Sequence, residues 1–198
     1  TLASLESGCG ALAFASGMAA THCATMLLST GDHIVAGSDI YGGTYRLFHK
    51  VIDRSGVTVT LADSTTLAEF EAAFTARTRL VWIESPGNPQ MSITDIAACA
   101  EIAHRHGALL GVDNTFATPV LTRPLELGAD IVMHSATKYL GGHSDVLGGA
   151  LVVRDGVRLN PTEIGQLVAF LRTLTDPTAL DLSAAEPERV PSGLPIDD

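Results

Sequence analysis

The chain has 198 residues, 46% of them hydrophobic and 17% charged, enough for one sizeable α/β domain or one domain with an appendage. Its formal net charge of −10 argues against a partner that needs a basic face, which excludes nucleic acid and anionic membrane surfaces. Cys9, Cys23 and Cys99 lie far apart with no C-x-x-C pair, so buried apolar thiols in a reducing cytoplasm are expected rather than a disulfide framework or a metal site.

Residues 1–6 read as helical. The apolar run 11–15 predicts a buried strand, and Ser16-Gly17-Met18-Ala19-Ala20 then opens a helix to about residue 28, rich in Ala, Met and Leu. A strand that turns on Ser-Gly into a helix N-terminus presents free backbone N–H groups and the positive end of a helix dipole. That arrangement suits a phosphate, although Ser16 as a plain N-cap and Gly17 as a plain turn are the alternative.

Gly31 and Asp32 break the helix, residues 33–36 give the next strand, and 38–43 form a loop before a helix that Thr44 caps and that runs to about Asp53. Tyr41 stands at the mouth of that loop. Its ring can lie flat on a planar cofactor or simply be half-buried. Residues 57–61 alternate and are β-branched, predicting a strand, and 66–75 read as a short amphipathic helix.

A further strand over 79–83 ends in Glu84-Ser85-Pro86-Gly87-Asn88-Pro89, where two prolines and a glycine force an irregular loop and hold Asn88 in place. Helical periodicity covers 93–106 and stops at Gly107. The strand 108–112 carries Asp113 at its C-terminal end, where a poorly solvated carboxylate calls for a cationic partner. After a connecting segment over 119–127, the strand 130–134 leads into H-S-A-T-K-Y-L-G-G-H-S-D, residues 134–145, and 147–153 reads as a returning strand.

Alternating strands and helices over residues 11–133 predict βα units and a three-layer α/β/α domain with a mostly parallel sheet. Ligands on such sheets collect beyond the carboxyl ends of the strands. Ser16, Tyr41, Asn88, Asp113 and residues 135–138 all follow strands directly, so all are expected on that edge.

An isolated Lys138 would be an ordinary surface lysine in a turn. Together with its neighbours it completes the requirements of pyridoxal phosphate, a cofactor that needs an amine to form a Schiff base, phosphate donors, a carboxylate at its ring nitrogen and an aromatic face. Lys138 supplies the amine, the Ser16-Gly17-Met18 turn with Ser135 and Thr137 can supply the phosphate cradle, Asp113 the carboxylate, and Tyr41 the stacking ring. Competing cofactors lack their motifs: neither G-x-x-x-x-G-K-[ST] nor G-x-G-x-x-G after a strand occurs, and G-x-S-x-G is absent. His104 and His106 face different ways on a helix and make a poor metal pair, so no metal is expected.

F-A-S-G-M-A-A at 14–20, D-I-Y-G-G-T-Y-R at 39–46, E-S-P-G-N-P at 84–89, V-D-N-T-F-A-T-P at 112–119 and the lysine loop resemble the pyridoxal-phosphate enzymes of Cys/Met metabolism. That family includes cystathionine γ-synthase, cystathionine γ- and β-lyases, methionine γ-lyase and O-acylhomoserine sulfhydrylases. The resemblance covers about residues 1–155 and implies a type I aminotransferase-like large domain. It further implies Lys138 as Schiff-base lysine and proton shuttle, Asp113 at the ring nitrogen and Tyr41 stacked on the ring and assisting the leaving group. Gly17, Met18, Ser135 and Thr137 would bind phosphate, and Asn88 would lie near the ring's 3′-oxygen. A cytoplasmic homodimer or homotetramer acting on a small amino-acid substrate is implied, with no nucleic-acid or membrane partner. Gly43 stands where methionine γ-lyases usually carry a cysteine, which favours cystathionine-type substrates and γ-replacement or elimination.

Two departures from the family pattern are expected to matter. The family places before the position of Thr1 a segment whose tyrosine and arginine reach the neighbouring subunit's phosphate, and after Asp155 a C-terminal domain with an arginine for the substrate carboxylate. Here residues 156–198 read as an amphipathic helix over 163–174 and an extended acidic tail, and the tail resembles the end of di-haem cytochrome c peroxidases. Without C-x-x-C-H no haem attachment follows. The alternative to an active lyase or transferase is therefore a truncated or fused remnant that binds the coenzyme weakly or not at all.

Overall fold

In the computed structural model, which describes residues 1–155, seven strands form one sheet in the order β1-β7-β6-β5-β4-β2-β3. The strands are β1 (Gly10–Phe14), β2 (His33–Gly37), β3 (Thr58–Ala62), β4 (Thr78–Glu84), β5 (Leu109–Asp113), β6 (Ile131–His134) and β7 (Gly149–Val153). Five of them, β3, β2, β4, β5 and β6, run parallel. β7 pairs antiparallel with both β6 and β1. The expected mostly parallel sheet is thus present, with β7 as the one reversed strand.

Among the described residues six α-helices accompany these strands, α1 (Leu2–Leu5) before β1 and the others between strands: α2 (Gly17–Thr25), α3 (Gly42–Lys50), α4 (Leu67–Ala72), α5 (Ile96–Arg105) and α6 (Thr118–Leu121). Alternation along the central strands divides the core between the two faces of the sheet. Ile34, Leu80, Trp82, Ile131 and Met133 pack with Ala20, Cys23 and Ala24 of α2 and with Leu47 and Phe48 of α3. Val35, Val81, Ile83, Leu110, Val112 and Val132 pack on the other side with Phe70 of α4 and with Ile96, Cys99, Ile102 and Ala103 of α5. Gly111 is required by this packing, because a Cβ there would stand 2.7 Å from the buried indole of Trp82.

Several expectations need correction. β1 is a largely exposed edge strand, with Phe14 its buried residue, and Cys9 is exposed while Cys23 and Cys99 are buried. The cap of α3 is Tyr41 rather than Thr44, and α5 starts at Ile96 because Asp95 accepts from the Ala98 N–H at 3.0 Å. His104 is an exposed residue of the last turn of α5, as expected, and its Nε2 bonds Oδ2 of buried Asp130 at 2.9 Å. No helix among the described residues is long and apolar enough to cross a membrane. The helix expected over 163–174 and the acidic tail lie outside the described residues.

Candidate active site

β1, β2, β4, β5 and β6 all point their carboxyl ends to one edge of the sheet, because β1 reverses relative to β7 and β7 reverses relative to β6. At that edge lies a cavity of about 450 Å³. Gly17, Met18, Tyr41, Asn88, Asp113, Ser135, Thr137 and Lys138, all eight site residues expected from the sequence, line it.

The side of the cavity where phosphate donors are expected is built from α2 and the lysine loop. Ser16 is the N-cap of α2, its Oγ accepting from the Ala19 N–H at 3.1 Å. The N–H groups of Gly17 and Met18, in the first turn, have no intrahelical acceptor. Gly17 admits the loop: a Cβ there would meet Cβ of Ser135 at 2.8 Å and its Oγ at 3.2 Å. Gly149 plays the same part from β7, since a Cβ would collide with the Ser16 carbonyl. Thr137, expected among the phosphate donors, has its hydroxyl bonded within the loop. Its Oγ1 donates to the Gly148 carbonyl at 3.2 Å and accepts from the Gly148 N–H at 3.1 Å, closing the neck of the loop.

Lys138 follows directly and is exposed. Its N–H bonds the Ser135 carbonyl at 3.1 Å and its carbonyl accepts from the Gly142 N–H at 2.8 Å, where φ is +74°. That left-handed turn is the conformation glycine supplies at least cost. The loop backbone is therefore tied internally while Lys138 lines the cavity.

Asp113, the last residue of β5, is 4% exposed. Its Oδ1 accepts from the Thr115 N–H at 3.0 Å and from Thr115 Oγ1 at 2.6 Å, and Thr115 Oγ1 accepts from the Ser135 N–H at 2.8 Å. These bonds link the carboxylate to the start of the lysine loop. Burial raises the Asp113 pKa, while the Thr115 bonds and the charge of His134 oppose that rise. The expected cationic partner is not among its hydrogen-bonded neighbours in the described residues, which leaves a buried carboxylate on the cavity wall suited to a cationic ring nitrogen.

Tyr41 is 45% exposed at the start of α3. Gly43 lies beneath it, and a Cβ there would collide with the tyrosine ring and approach Sδ of Met18 at 3.0 Å. Asn88 is half-buried in a loop with cis peptide bonds at Ser85-Pro86 and Asn88-Pro89. Asp39 holds that loop: its carboxylate accepts from the Gln90 N–H at 3.1 Å, the Ser92 N–H at 3.2 Å and Ser92 Oγ at 2.7 Å.

Sequence reasoning missed Glu84, Thr115, Phe116, Met133 and Leu147 on the same cavity wall. Glu84 is the most consequential, a second buried carboxyl whose Oε2 accepts from the Tyr41 N–H at 2.7 Å. Its position beside Asp113 follows from strand register, which no local sequence signal reports.

The sequence pattern of Cys/Met metabolism PLP-dependent enzymes matches residues 1–170, beyond the boundary expected near 155. A cystathionine gamma-synthase of Mycobacterium leprae is 49% identical over 173 residues, 87% of this chain and 43% of its own length. A cystathionine beta-lyase of Coxiella burnetii is 53% identical over 159 residues, 80% of this chain and 41% of its own. Among solved structures, a cystathionine gamma-lyase from Lactobacillus plantarum complexed with L-serine superposes with a TM-score of 0.79 at 46% identity, covering 87% of this chain and 44% of that one. The chain thus spans less than half the length of these relatives. With the sheet, the cavity and the sequence pattern in agreement, it belongs to the PLP-dependent enzymes of Cys/Met metabolism.

Proposed function

We propose that this chain is the coenzyme-binding part of a transsulfuration-type lyase or transferase, acting on cystathionine or a related homoserine-derived substrate by elimination or γ-replacement. The observation that carries this reading is the convergence of Lys138, Asp113, Tyr41 and the Gly17 turn on one cavity. When bound, pyridoxal phosphate supplies an electron sink for an amino-acid substrate.

The chain's own residues supply the rest. The N–H groups of Gly17 and Met18, with Ser135 beside them, form an anion site at the N-terminus of α2. Gly17 and Gly149 fit that task, since a side chain at either would fill the approach. Asp113, buried and held by Thr115, offers a negative charge to a ring nitrogen. Tyr41 covers the cavity mouth, and Asn88 stands on the wall that Asp39 braces. Lys138 would hold the coenzyme through its Nζ, and the same amine can accept and return protons.

The names of the relatives favour cystathionine as substrate class, and the crowding at Gly43 leaves no room for a side chain between Tyr41 and Met18. In the family a tight homodimer or homotetramer completes the site, and we extend that assembly and a cytoplasmic location to this protein. The test is to mix the full-length purified protein with coenzyme, reduce with borohydride and map the label by mass spectrometry. The reading requires the label on Lys138 and turnover of cystathionine or an acylated homoserine; a protein that takes no label there refutes it.

A further inference from the structure

The cavity holds a buried titratable group to which the roles above assign nothing. Glu84 ends β4 as Asp113 ends β5, and the two are register partners across parallel strands. Paired residues of adjacent strands project to the same face of a sheet, so the carboxyls are neighbours on the cavity wall, 5% and 4% exposed. Two like charges buried side by side disfavour ionising together, so the pair retains a proton.

Hydrogen bonding decides which carboxyl holds it. Asp113 accepts two bonds from Thr115, and the charge of His134 favours its anion. Glu84 accepts from the Tyr41 N–H, while the charges of Asp113 and, from the loop after β2, Asp39 act against its ionisation. Burial first, then the Asp113 charge, pushes Glu84 up to about 8. Lys138 is the cation on the same wall, and among the described residues no ion pair joins it to either carboxyl.

We propose that Glu84 is a neutral positioning residue: one oxygen of its protonated carboxyl holds the Tyr41 backbone at the start of α3, and its proton leaves the single negative charge of the pair on Asp113. Its purpose rests on the coenzyme-binding reading: a lone charge at Asp113 would suit a cationic ring nitrogen, and the Glu84 bond fixes the start of α3, from which Tyr41 would stack. The protonation and the Tyr41 bond are properties of the chain alone.

Both are measured without coenzyme, so their failure is separate from a failure to label Lys138. In full-length protein carrying carboxyl-¹³C glutamate, infrared spectra across the pH range should contain a protonated-carboxyl band that Glu84→Gln lacks and that disappears with a midpoint near about 8. A band lost in the ordinary carboxylate range, near about pH 4.3, overturns the proposal. Hydrogen exchange at Tyr41 gives the second readout. The neutral isostere Glu84→Gln should keep wild-type protection at neutral pH, and Glu84→Ala should exchange on the order of 10-fold faster. Glu84→Gln opening as far as Glu84→Ala, or Glu84→Ala leaving Tyr41 as protected as before, overturns the positioning role.

Discussion

Glu6 and His134 lie 128 residues apart in sequence, yet Nε2 of the histidine is 2.5 Å from Oε1 of the glutamate, and both side chains are fully buried. The same Oε1 accepts from Asn114 Nδ2 at 2.8 Å, and Asn114 also donates to the Thr122 carbonyl at 2.9 Å. One carboxylate therefore ties the end of α1 to the residues that follow Asp113 and precede Ser135.

Removing that carboxylate leaves buried His134 without its partner at Nε2 and Asn114 with one of its two acceptors. Glu6→Ala should cost about 3–5 kcal/mol of stability, the scale for breaking a buried pair. Glu6→Gln retains an oxygen acceptor and should cost less. Urea unfolding of both variants checks this: a Glu6→Ala midpoint within error of wild type would show that the cluster contributes nothing.

Gly17→Ala tests the phosphate side. The added methyl meets Cβ of Ser135 at 2.8 Å, against backbone-anchored atoms that cannot swing aside. Overpacking of this kind costs about 1–3 kcal/mol. Here the strain falls on the contact between α2 and the lysine loop, so coenzyme affinity should fall about 10-fold or more. Coenzyme titration beside a thermal melt separates the two effects, and unchanged affinity would remove Gly17 from the cradle.

Much of this architecture was legible in the chain because apolar β-branched runs, glycine stops and prolines mark the strand ends, and parallel topology then sends those ends to one edge. Tyr41, Asn88, Asp113 and Lys138 needed only that rule. What stayed hidden depends on tertiary register. Glu84 reads as the first residue of a loop until β4 is extended to it and paired with β5. Glu6 reads as one more acidic residue of a short helix, because its partners are more than a hundred residues away. Thr44 has the better intrinsic capping side chain, but Glu84 binds the Tyr41 N–H from another strand and α3 begins earlier.

Asp39→Ala should unfasten the Asn88 loop. Its carboxylate takes three hydrogen bonds from Gln90 and Ser92, and Gly87 packs directly against it. Hydrogen bonds to a charged group are worth about 1.5–3 kcal/mol each, and the half-buried position discounts them. Hydrogen exchange of residues 85–92 should therefore rise while the sheet core stays protected. Acceleration spread evenly over the whole chain would indicate a global role instead.

Asp113→Asn separates holding the coenzyme from using it. The amide keeps the size and an acceptor for the Thr115 bonds, but it cannot carry the charge that keeps a ring nitrogen protonated. Borohydride should still fix the coenzyme to Lys138, while turnover falls by about 100-fold or more, the scale for losing a preorganised electrostatic partner. Turnover at the wild-type rate would take Asp113 out of the site.

The pH dependence of stability follows from Glu84. Its folded pKa is raised from the ordinary 4.5 to about 8, by burial and then by Asp113. Between those values the folded state binds more protons than the unfolded state, so stability declines as pH rises. The contribution is complete below about pH 4.5 and is lost as pH passes through about 8. For one buried group of this kind the loss is on the order of a few kcal/mol. Asp113, also shifted upward by burial, adds a decline of the same sign that Glu84→Gln leaves in place. In chemical denaturation across this range, wild type should therefore lose stability more steeply than Glu84→Gln, and the gap between them should stop growing above about pH 8. Parallel curves from acid to pH 8 would mean that Glu84 ionises as easily in the fold as out of it, and the proton assigned to it would not be there.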